Sequence, residues 1–440
     1  MLWKDLNNKR IGIWGMGKEG QSVKKAILKY ASPHTIIEIN EENSTDIFNC
    51  DILIKSPGVS LYRKEIMQAK DKGVIITSST NLFFANKNPK AIVIAITGTK
   101  GKSTTSSLLA HTLTMLGQKT VLGGNIGVPL VDLIDTEANY IVAELSSYQC
   151  ADFMGAVNIG VLVNLYPEHL PWHGSHEQYY QDKLNMISTA QIQILNALDE
   201  RTNTYAKTDK RFKNAIYFND TIHEDGEWFY DGDTKLFECA SLNLTGEHNR
   251  KNACAVLNII KQLELDLTAC KEAFKTFQPL PHRLQIVAQK NGLTFVDDSI
   301  STTPETAIAA MKAFGHNTPI TLIIGGEDRG QDFTELITYI KQYKNISLIT
   351  LPDTGNRITQ SVIQCNIPIH PCTTMTEAVQ TAVNITPLNG LVLLSPAAPS
   401  YNMYKNFEAR GDDFKNNINR VINKKNSTIP ICLSKMKLLL

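Results

Sequence analysis

Thr97-Gly98-Thr99-Lys100-Gly101-Lys102-Ser103-Thr104 gathers the residue types that grip a nucleoside triphosphate. Glycines let backbone amides approach phosphate oxygens, and the amides that open a helix add partial positive charge. In such a loop Gly98, Thr99, Lys100 and Gly101 wrap the phosphates. Lys102 reaches the β and γ phosphates, and Ser103 or Thr104 meets Mg²⁺. Two residues separate the glycines here, where about four are usual. The rival reading is a glycine turn that starts an ordinary helix. Strand, glycines, Lys-Ser-Thr and helix all coincide, which favours ATP.

A second glycine turn, Gly15-x-Gly17-x-x-Gly20, follows Arg10-Ile11-Gly12-Ile13-Trp14. It reads either as a nucleotide-binding fingerprint, with Glu38 as the acidic partner, or as tight strand–helix packing. Further candidates stand where strands should end, since ligands of open parallel sheets gather there. Tyr140-Ile141-Val142-Ala143 runs into Glu144, either a Mg²⁺ ligand or a solvated carboxylate. Ile159–Val163 runs into Asn164 and then Glu168-His169. Lys183 lies on an amphipathic helix with Tyr179, Tyr180, Met186 and Ile187, and on spacing alone belongs to a solvated face.

Positioning these groups requires strands alternating with helices, and the chain supplies them. The apolar run Ala91–Ile96 precedes the phosphate loop, and Leu108, Leu109, Leu113 and Leu116 mark the helix after it, closed by Gly117. Strand-like and helix-like runs alternate throughout, which predicts an α/β protein with parallel sheets. At 440 residues the chain is long enough for several cores. Residues 1–88 open on the Gly15 turn, 89–280 hold the phosphate loop, and 281–425 follow a hinge at Pro279-Leu280-Pro281. Residues 426–440 form a basic tail without a role. A net charge of +1 argues against a broad nucleic-acid surface or a polybasic membrane anchor. No apolar run is long enough to span a bilayer or serve as a signal peptide. The eight cysteines contain no Cys-x-x-Cys pair and read as buried free thiols of a reducing cytosol.

Taken together, the motifs resemble the Mur ligase family, cytosolic bacterial enzymes that build the peptide stem of peptidoglycan. The matching stretches run in order through nearly the whole chain. They are Thr97–Thr104, Gly124-Asn125-Ile126-Gly127, Glu144–Gln149, Glu168-His169-Leu170, Gly246–Ala253, His282-Arg283, Asp297-Asp298-Ser299, Gly325-Gly326 and Ser395-Pro396-Ala397. Lys55-Ser56-Pro57-Gly58-Val59, the length and the ending Ser400–Gly411 are similar to members that add a glutamate to UDP-N-acetylmuramoyl-L-alanine.

The resemblance implies three domains: a Rossmann-like N-terminal domain, a central phosphate-loop ATPase domain with a parallel sheet, and a Rossmann-like C-terminal domain. It implies a cytoplasmic monomer that takes ATP, Mg²⁺ and small-molecule substrates, with no nucleic acid and no membrane insertion. Gly15, Gly17, Ser56, Pro57 and Gly58 would hold the uridine diphosphate, and Asn125 and Ser146 would face the muramyl group. Asn249, Asn252, Arg283 and Asp298 would contact ATP. Ser103, Glu144, His169 and a carbamylated Lys183 would hold Mg²⁺. Thr302, Arg329, Ser400 and Phe407 would bind the incoming amino acid.

The implied acceptor is D-glutamate, with L-glutamate as the alternative. Ile300 and Arg329 both stand where a lysine is common, near the amino acid. Another member of the family and a folyl-polyglutamate synthetase are further readings. A phosphate-loop protein that only gates binding is the rival from another class.

Overall fold

The computed structural model describes residues 1–426 other than Thr245, Pro279, Leu280 and His316. The hinge expected at Pro279-Leu280 and the tail beyond 426 lie outside the described residues. The described residues fold as two compact units, one up to residue 278 and the other from residue 281 on. The α/β expectation holds in both.

The first unit carries two sheets. One consists of β1 (Arg10–Trp14), β2 (Thr35–Ile39), β3 (Ile52–Lys55) and β4 (Ile75–Ser78), all parallel in the order β2-β1-β3-β4. The other consists of β5 (Ile92–Thr97), β6 (Thr120–Gly124), β7 (Tyr140–Glu144), β8 (Val157–Leu162), β9 (Ala190–Asn196), β10 (Ile216–Phe218), β11 (Ile222–Glu224), β12 (Trp228–Asp231) and β13 (Thr234–Glu238). Its order is β13-β12-β11-β10-β9-β8-β5-β7-β6.

The apolar run of β5 is buried on both faces, as a strand covered by helices on each side must be. Successive residues serve opposite cores. Val93, Ala95, Ile141 and Ala143 pack into one, and Ile94, Ile96 and Val142 into the other. The first of these cores also takes in Ile11, Ile13, Ile52 and Ile54 of the small sheet. That shared core is why both sheets belong to one compact unit.

The second unit holds β14 (Gln285–Lys290), β15 (Leu293–Asp297), β16 (Ile320–Gly326), β17 (Ile346–Asp353), β18 (Ile369–Pro371) and β19 (Leu391–Leu394), in the order β14-β15-β19-β16-β17-β18. Val296, Leu322 and Leu393 face one core, and Phe295, Ile323 and Leu394 the other.

Parallel pairing does not extend to every edge. β11, β12 and β13 form an antiparallel meander, and β14 pairs antiparallel with β15. The turn Asn291-Gly292 explains the second case. Both residues have positive φ, 57° and 72°, which matches the twist of a two-residue hairpin. Among the described residues seven cysteines are free thiols; six are buried and Cys365 is partly exposed. No described helix is long and apolar enough to cross a membrane.

Candidate active site

The phosphate loop leaves the carboxyl end of β5, between β7 and β8. Gly101 caps the helix Lys102–Met115 with φ 80° and offers no side chain to its first amides. Those amides therefore face outward from a site built for an anion. A Cβ on Gly101 would stand 2.8 Å from Asn252 Nδ2, so only glycine fits. The helix ends at Met115, two residues before the expected glycine. Gly117, at φ 76°, donates to the Thr114 carbonyl, while Gln118 N–H reaches the Leu113 carbonyl.

Asn164 holds the loop's shape. Its Oδ1 accepts from the amides of Thr99 (3.1 Å) and Lys100 (2.8 Å), and its Nδ2 donates to the Lys100 carbonyl at 3.0 Å. The sequence signal for this clamp is a polar residue directly after the apolar run of β8, and motif reading passed over its role. Thr99 Oγ1 meets Tyr179 Oη at 2.9 Å, and Lys100 pairs with Glu168. Lys102 Nζ donates to the carbonyls of Gly98 (2.8 Å) and Thr99 (2.9 Å).

Parallel pairing sets Glu144 beside this loop, since Ile96 of β5 is in register with Glu144 of β7. Glu144 is fully buried, which overturns the solvated-carboxylate alternative. Its Oε1 accepts from Asn125 Nδ2 at 2.7 Å. Its Oε2 has no hydrogen-bond partner among the described residues. A bare buried carboxylate oxygen is costly unless a cation faces it, so this atom fits Mg²⁺. No three His, Cys, Asp or Glu side chains converge into a metal cage among the described residues. Mg²⁺ commonly takes one or two carboxylates plus substrate phosphates, and Ser103 stands in the first turn of the helix that follows the phosphate loop.

Lys183 is only 1% exposed, so the solvated-face reading of its helix (His176–Ser188) is also overturned. Its Nζ donates to the Gly98 carbonyl at 2.7 Å, the same carbonyl that Lys102 reaches. Burial, and then the nearby charge of Lys102, push its pKa down to about 7. His169 is held at φ 57°, with Nδ1 3.0 Å from Tyr148 Oη. Partial desolvation lowers its pKa, which favours the neutral ring that can ligate a metal.

The Gly15 turn shows the tight strand–helix packing that is one of its two sequence readings. Ser56 Oγ donates to the Gly15 carbonyl at 2.5 Å, and a Cβ on Gly20 would stand 2.1 Å from that carbonyl oxygen. Tight packing thus shapes a turn that leaves Gly17 exposed at the uncapped start of the helix Lys18–Tyr30. Glu38 is paired with Lys24 at 2.6 Å, an exposed contact. Trp172 Nε1 donates to the Pro57 carbonyl at 3.1 Å, tying the Ser56-Pro57-Gly58 stretch to the segment that follows His169. Ser146 caps the short helix Ser147–Ala151, and Gln149 of that helix reaches Glu19 at 2.9 Å. Asn249 and Asn252 are buried on the helix Glu247–Gln262 of this same unit.

Arg283, Asp298, Thr302, Arg329, Ser400 and Phe407 belong to the second unit. Three strand ends converge there: Asp297-Asp298 at the end of β15, Gly325-Gly326 at the end of β16 and Ser395 after β19. Asp298 is buried, its carboxylate accepting from Ser301 Oγ (2.5 Å), Ser395 Oγ (2.8 Å) and the Leu284 amide (3.1 Å). Desolvation pushes its pKa up to about 6. Buried Arg410 donates to Ser299 Oγ (3.0 Å), to the Ser299 carbonyl (2.9 Å) and to the Ala398 carbonyl (3.0 Å). Ser299 Oγ in turn donates to the Phe407 carbonyl at 2.8 Å. One guanidinium thereby fixes the stretches carrying Thr302, Ser400 and Phe407. Sequence reading assigned Arg410 no role. Exposed Arg329 pairs with Glu327 at 2.7 Å and lies over the Tyr401 ring at 5.3 Å.

Residues 96–260 match the Mur ligase middle domain, and residues 282–398 match the Mur ligase, glutamate ligase domain. A UDP-N-acetylmuramoyl-L-alanine–L-glutamate ligase of a Micromonospora species is 36% identical, over 94% of this chain and 97% of its own. The chain belongs to the Mur ligase family. Ligases of the same name from Salinispora tropica (94% of this chain, 98% of its own) and Xanthomonas campestris (94% and 96%) are each 35% identical.

Among solved structures, the UDP-N-acetylmuramate–alanine ligase MurC of Thermotoga maritima shares the fold. Its TM-score is 0.59 at 19% identity, covering 96% of this chain and 100% of its own. MurF of the same organism, solved with ADP, gives a TM-score of 0.58 at 15% identity, covering 96% and 97%. As a Mur ligase the protein is an ATP-dependent enzyme that forms amide bonds.

Proposed function

We propose that this Mur ligase joins L-glutamate to UDP-N-acetylmuramoyl-L-alanine in the cytoplasmic assembly of peptidoglycan precursors, through an acyl phosphate. The observation that carries the reading is one cluster at the carboxyl ends of adjacent strands. It comprises the phosphate loop, the bare Glu144 oxygen and the buried Lys183 amine. The acceptor rests on the relatives, which are named for L-glutamate across nearly their full length. The D-glutamate expectation gives way to L on that ground.

The alanyl carboxylate of the nucleotide substrate attacks the γ-phosphorus of ATP, giving an acyl phosphate and ADP. The amine of glutamate then attacks the acyl carbon. The tetrahedral intermediate releases phosphate, and the amine's proton passes to solvent. Carboxylates are poor acyl donors, and phosphorylation supplies the leaving group.

Lys102 lets go of its own loop carbonyls and neutralises charge on the transferring phosphoryl group. When bound, Mg²⁺ would spread that charge further, held by Glu144, Ser103, His169 and carbamylated Lys183. Burial and the charge of Lys102 lower the pKa of Lys183 to about 7 and so favour its neutral amine. The ammonium gives up one proton, and the neutral amine then adds to CO₂, forming the N–C bond and releasing a second proton, so that a cation becomes an anion.

Gly15, Gly17, Ser56, Pro57 and Gly58 take the uridine diphosphate, and Asn125 and Ser146 the muramyl group. Asn249, Asn252, Arg283 and Asp298 serve the nucleotide. The saturated carboxylate of Asp298 serves it by holding its strand end. Thr302, Arg329, Ser400 and Phe407 serve glutamate, and Arg329 can pair with a carboxylate through two N–H groups.

The test supplies L-Glu and D-Glu separately with ATP and UDP-N-acetylmuramoyl-L-alanine, following phosphate release and product mass. Product with L-Glu is expected. Product with D-Glu alone overturns the acceptor. ATP binding without amino-acid-dependent phosphate release, across a panel of UDP-muramyl nucleotides and amino acids, would leave a gated binding module.

A further inference from the structure

Beside Lys183 lies a buried polar chain that the mechanism does not use. His173 is 3% exposed and Asp182 4%. The ring's Nδ1 stands 2.5 Å from Asp182 Oδ2, and its Nε2 stands 3.0 Å from Oγ of buried Ser147. The other carboxylate oxygen of Asp182 accepts from Tyr62 Oη (2.6 Å) and Gln178 Nε2 (2.8 Å). Tyr62 follows the Ser56-Pro57-Gly58 stretch, and Ser147 follows Ser146. The chain therefore ties two pieces of the site to the helix that bears Lys183.

The arrangement resembles a hydrolase triad in its atoms, but Ser147 is 3% exposed and no substrate can reach it. Its use is geometric. Tyr179 and Lys183, four residues apart, share one face of the helix, and both meet the phosphate loop, at Thr99 Oγ1 and the Gly98 carbonyl. Asp182 projects to one side of that face, where it can stop the helix from turning. A lysine amine sits about 8 Å from its helix axis, so a rotation of about 15° moves it by about 2 Å. Misplacement of about 1 Å is enough to cost on the order of a hundredfold in rate. Replacing a buried polar pair of this kind by apolar residues of the same size is often neutral for stability, and orientation is then what the pair provides.

We propose that His173 and Asp182 are positioning residues for Lys183. The chain Ser147–His173–Asp182–Tyr62 fixes the rotation of the helix His176–Ser188 and so sets where the Lys183 amine stands over the phosphate loop. The inference rests on the reading of Lys183 as a carbamylated group of the active site.

The experiment loads the full-length protein with ¹³C-bicarbonate, without nucleotide. It records the carbamate resonance alongside kcat and KM for the parent, Lys183→Ala, His173→Phe, His173→Asn and Tyr62→Phe. The parent signal should vanish in Lys183→Ala. His173→Phe keeps the volume and loses both polar atoms. It should lose most of the carbamate signal and on the order of a hundredfold in kcat, with KM for glutamate little changed. His173→Asn can still donate to Asp182 and should recover part of both, which a purely space-filling role would not predict.

Tyr62→Phe removes one outer donor without touching the core. It keeps the test open if the His173 variants fail to fold, and should lower kcat by roughly threefold to tenfold. A folded His173→Phe with parent-level carbamate and kcat overturns the inference, as does an unaffected Tyr62→Phe. A parent without a carbamate signal overturns the Lys183 reading itself, a different and separately visible result.

Discussion

The carboxyl edge of the large sheet and that of the second unit's sheet both carry buried charge, and they treat it in opposite ways. In the first unit one carboxylate is left incomplete. Glu144 keeps one oxygen bare, and Lys102 and Lys183 rest on backbone carbonyls of the loop they serve. In the second unit the chain completes them itself. Asp298 accepts three hydrogen bonds, and Arg410 spends its donors on Ser299 and on the Ala398 carbonyl. Incomplete charge is held at a cost and fits a ligand that will complete it. Completed charge makes a rigid frame, and recognition is then left to groups at its rim such as exposed Arg329.

The contrast is broken most directly at Lys102. Lys102→Ala should leave the fold intact and reduce turnover on the order of a thousandfold, because a preorganised charge on the phosphoryl group is lost. Phosphate release and circular dichroism check both halves, and near-normal turnover would remove the distinction between the two edges.

Next in size is the framing role of Asp298. Its pKa rises from the usual 3.8 to about 6, so between these values the folded chain holds a proton that the unfolded chain has lost. Stability from this group is present below pH about 4 and is lost as pH rises through about 6. The full change is on the order of 3 kcal/mol. Asp298→Asn should flatten the pH dependence of melting across that window. An unchanged slope would mean the carboxyl is not the desolvated frame element described.

At the rim the effects shrink. Arg329→Ala should raise KM for glutamate by about tenfold with kcat nearly unchanged, since a partly solvated carboxylate contact is worth about 1–2 kcal/mol. A fall in kcat at constant KM would move Arg329 from recognition to chemistry. Smallest is Ile300→Lys, which restores a charge beside the amino-acid residues. It should change KM for glutamate, or the ratio of L- to D-glutamate turnover, by about threefold. Steady-state kinetics with each isomer decides it, and no change in either quantity would place Ile300 outside the acceptor's reach.

Much of this was open to the sequence alone. The phosphate loop, the strand before it and the helix after it are written in consecutive residues, because backbone geometry and burial on two faces are local demands. The order of motifs from Thr97 to Ser395 named the family for the same reason, each motif being a short stretch at the end or start of a strand or helix. What tertiary structure decided was pairing across distance. Lys183 has the spacing of a surface lysine, and only its approach to Gly98, 85 residues away in sequence, makes it a buried amine. Glu144 reads the same on paper whether solvated or bare, and the flanking strand and Asn125 determine which. His173, Asp182, Arg410 and Asn164 look like ordinary polar residues until their partners from other segments arrive. A pattern along the chain reports which face a side chain takes, while the atoms waiting on that face are brought there by the fold.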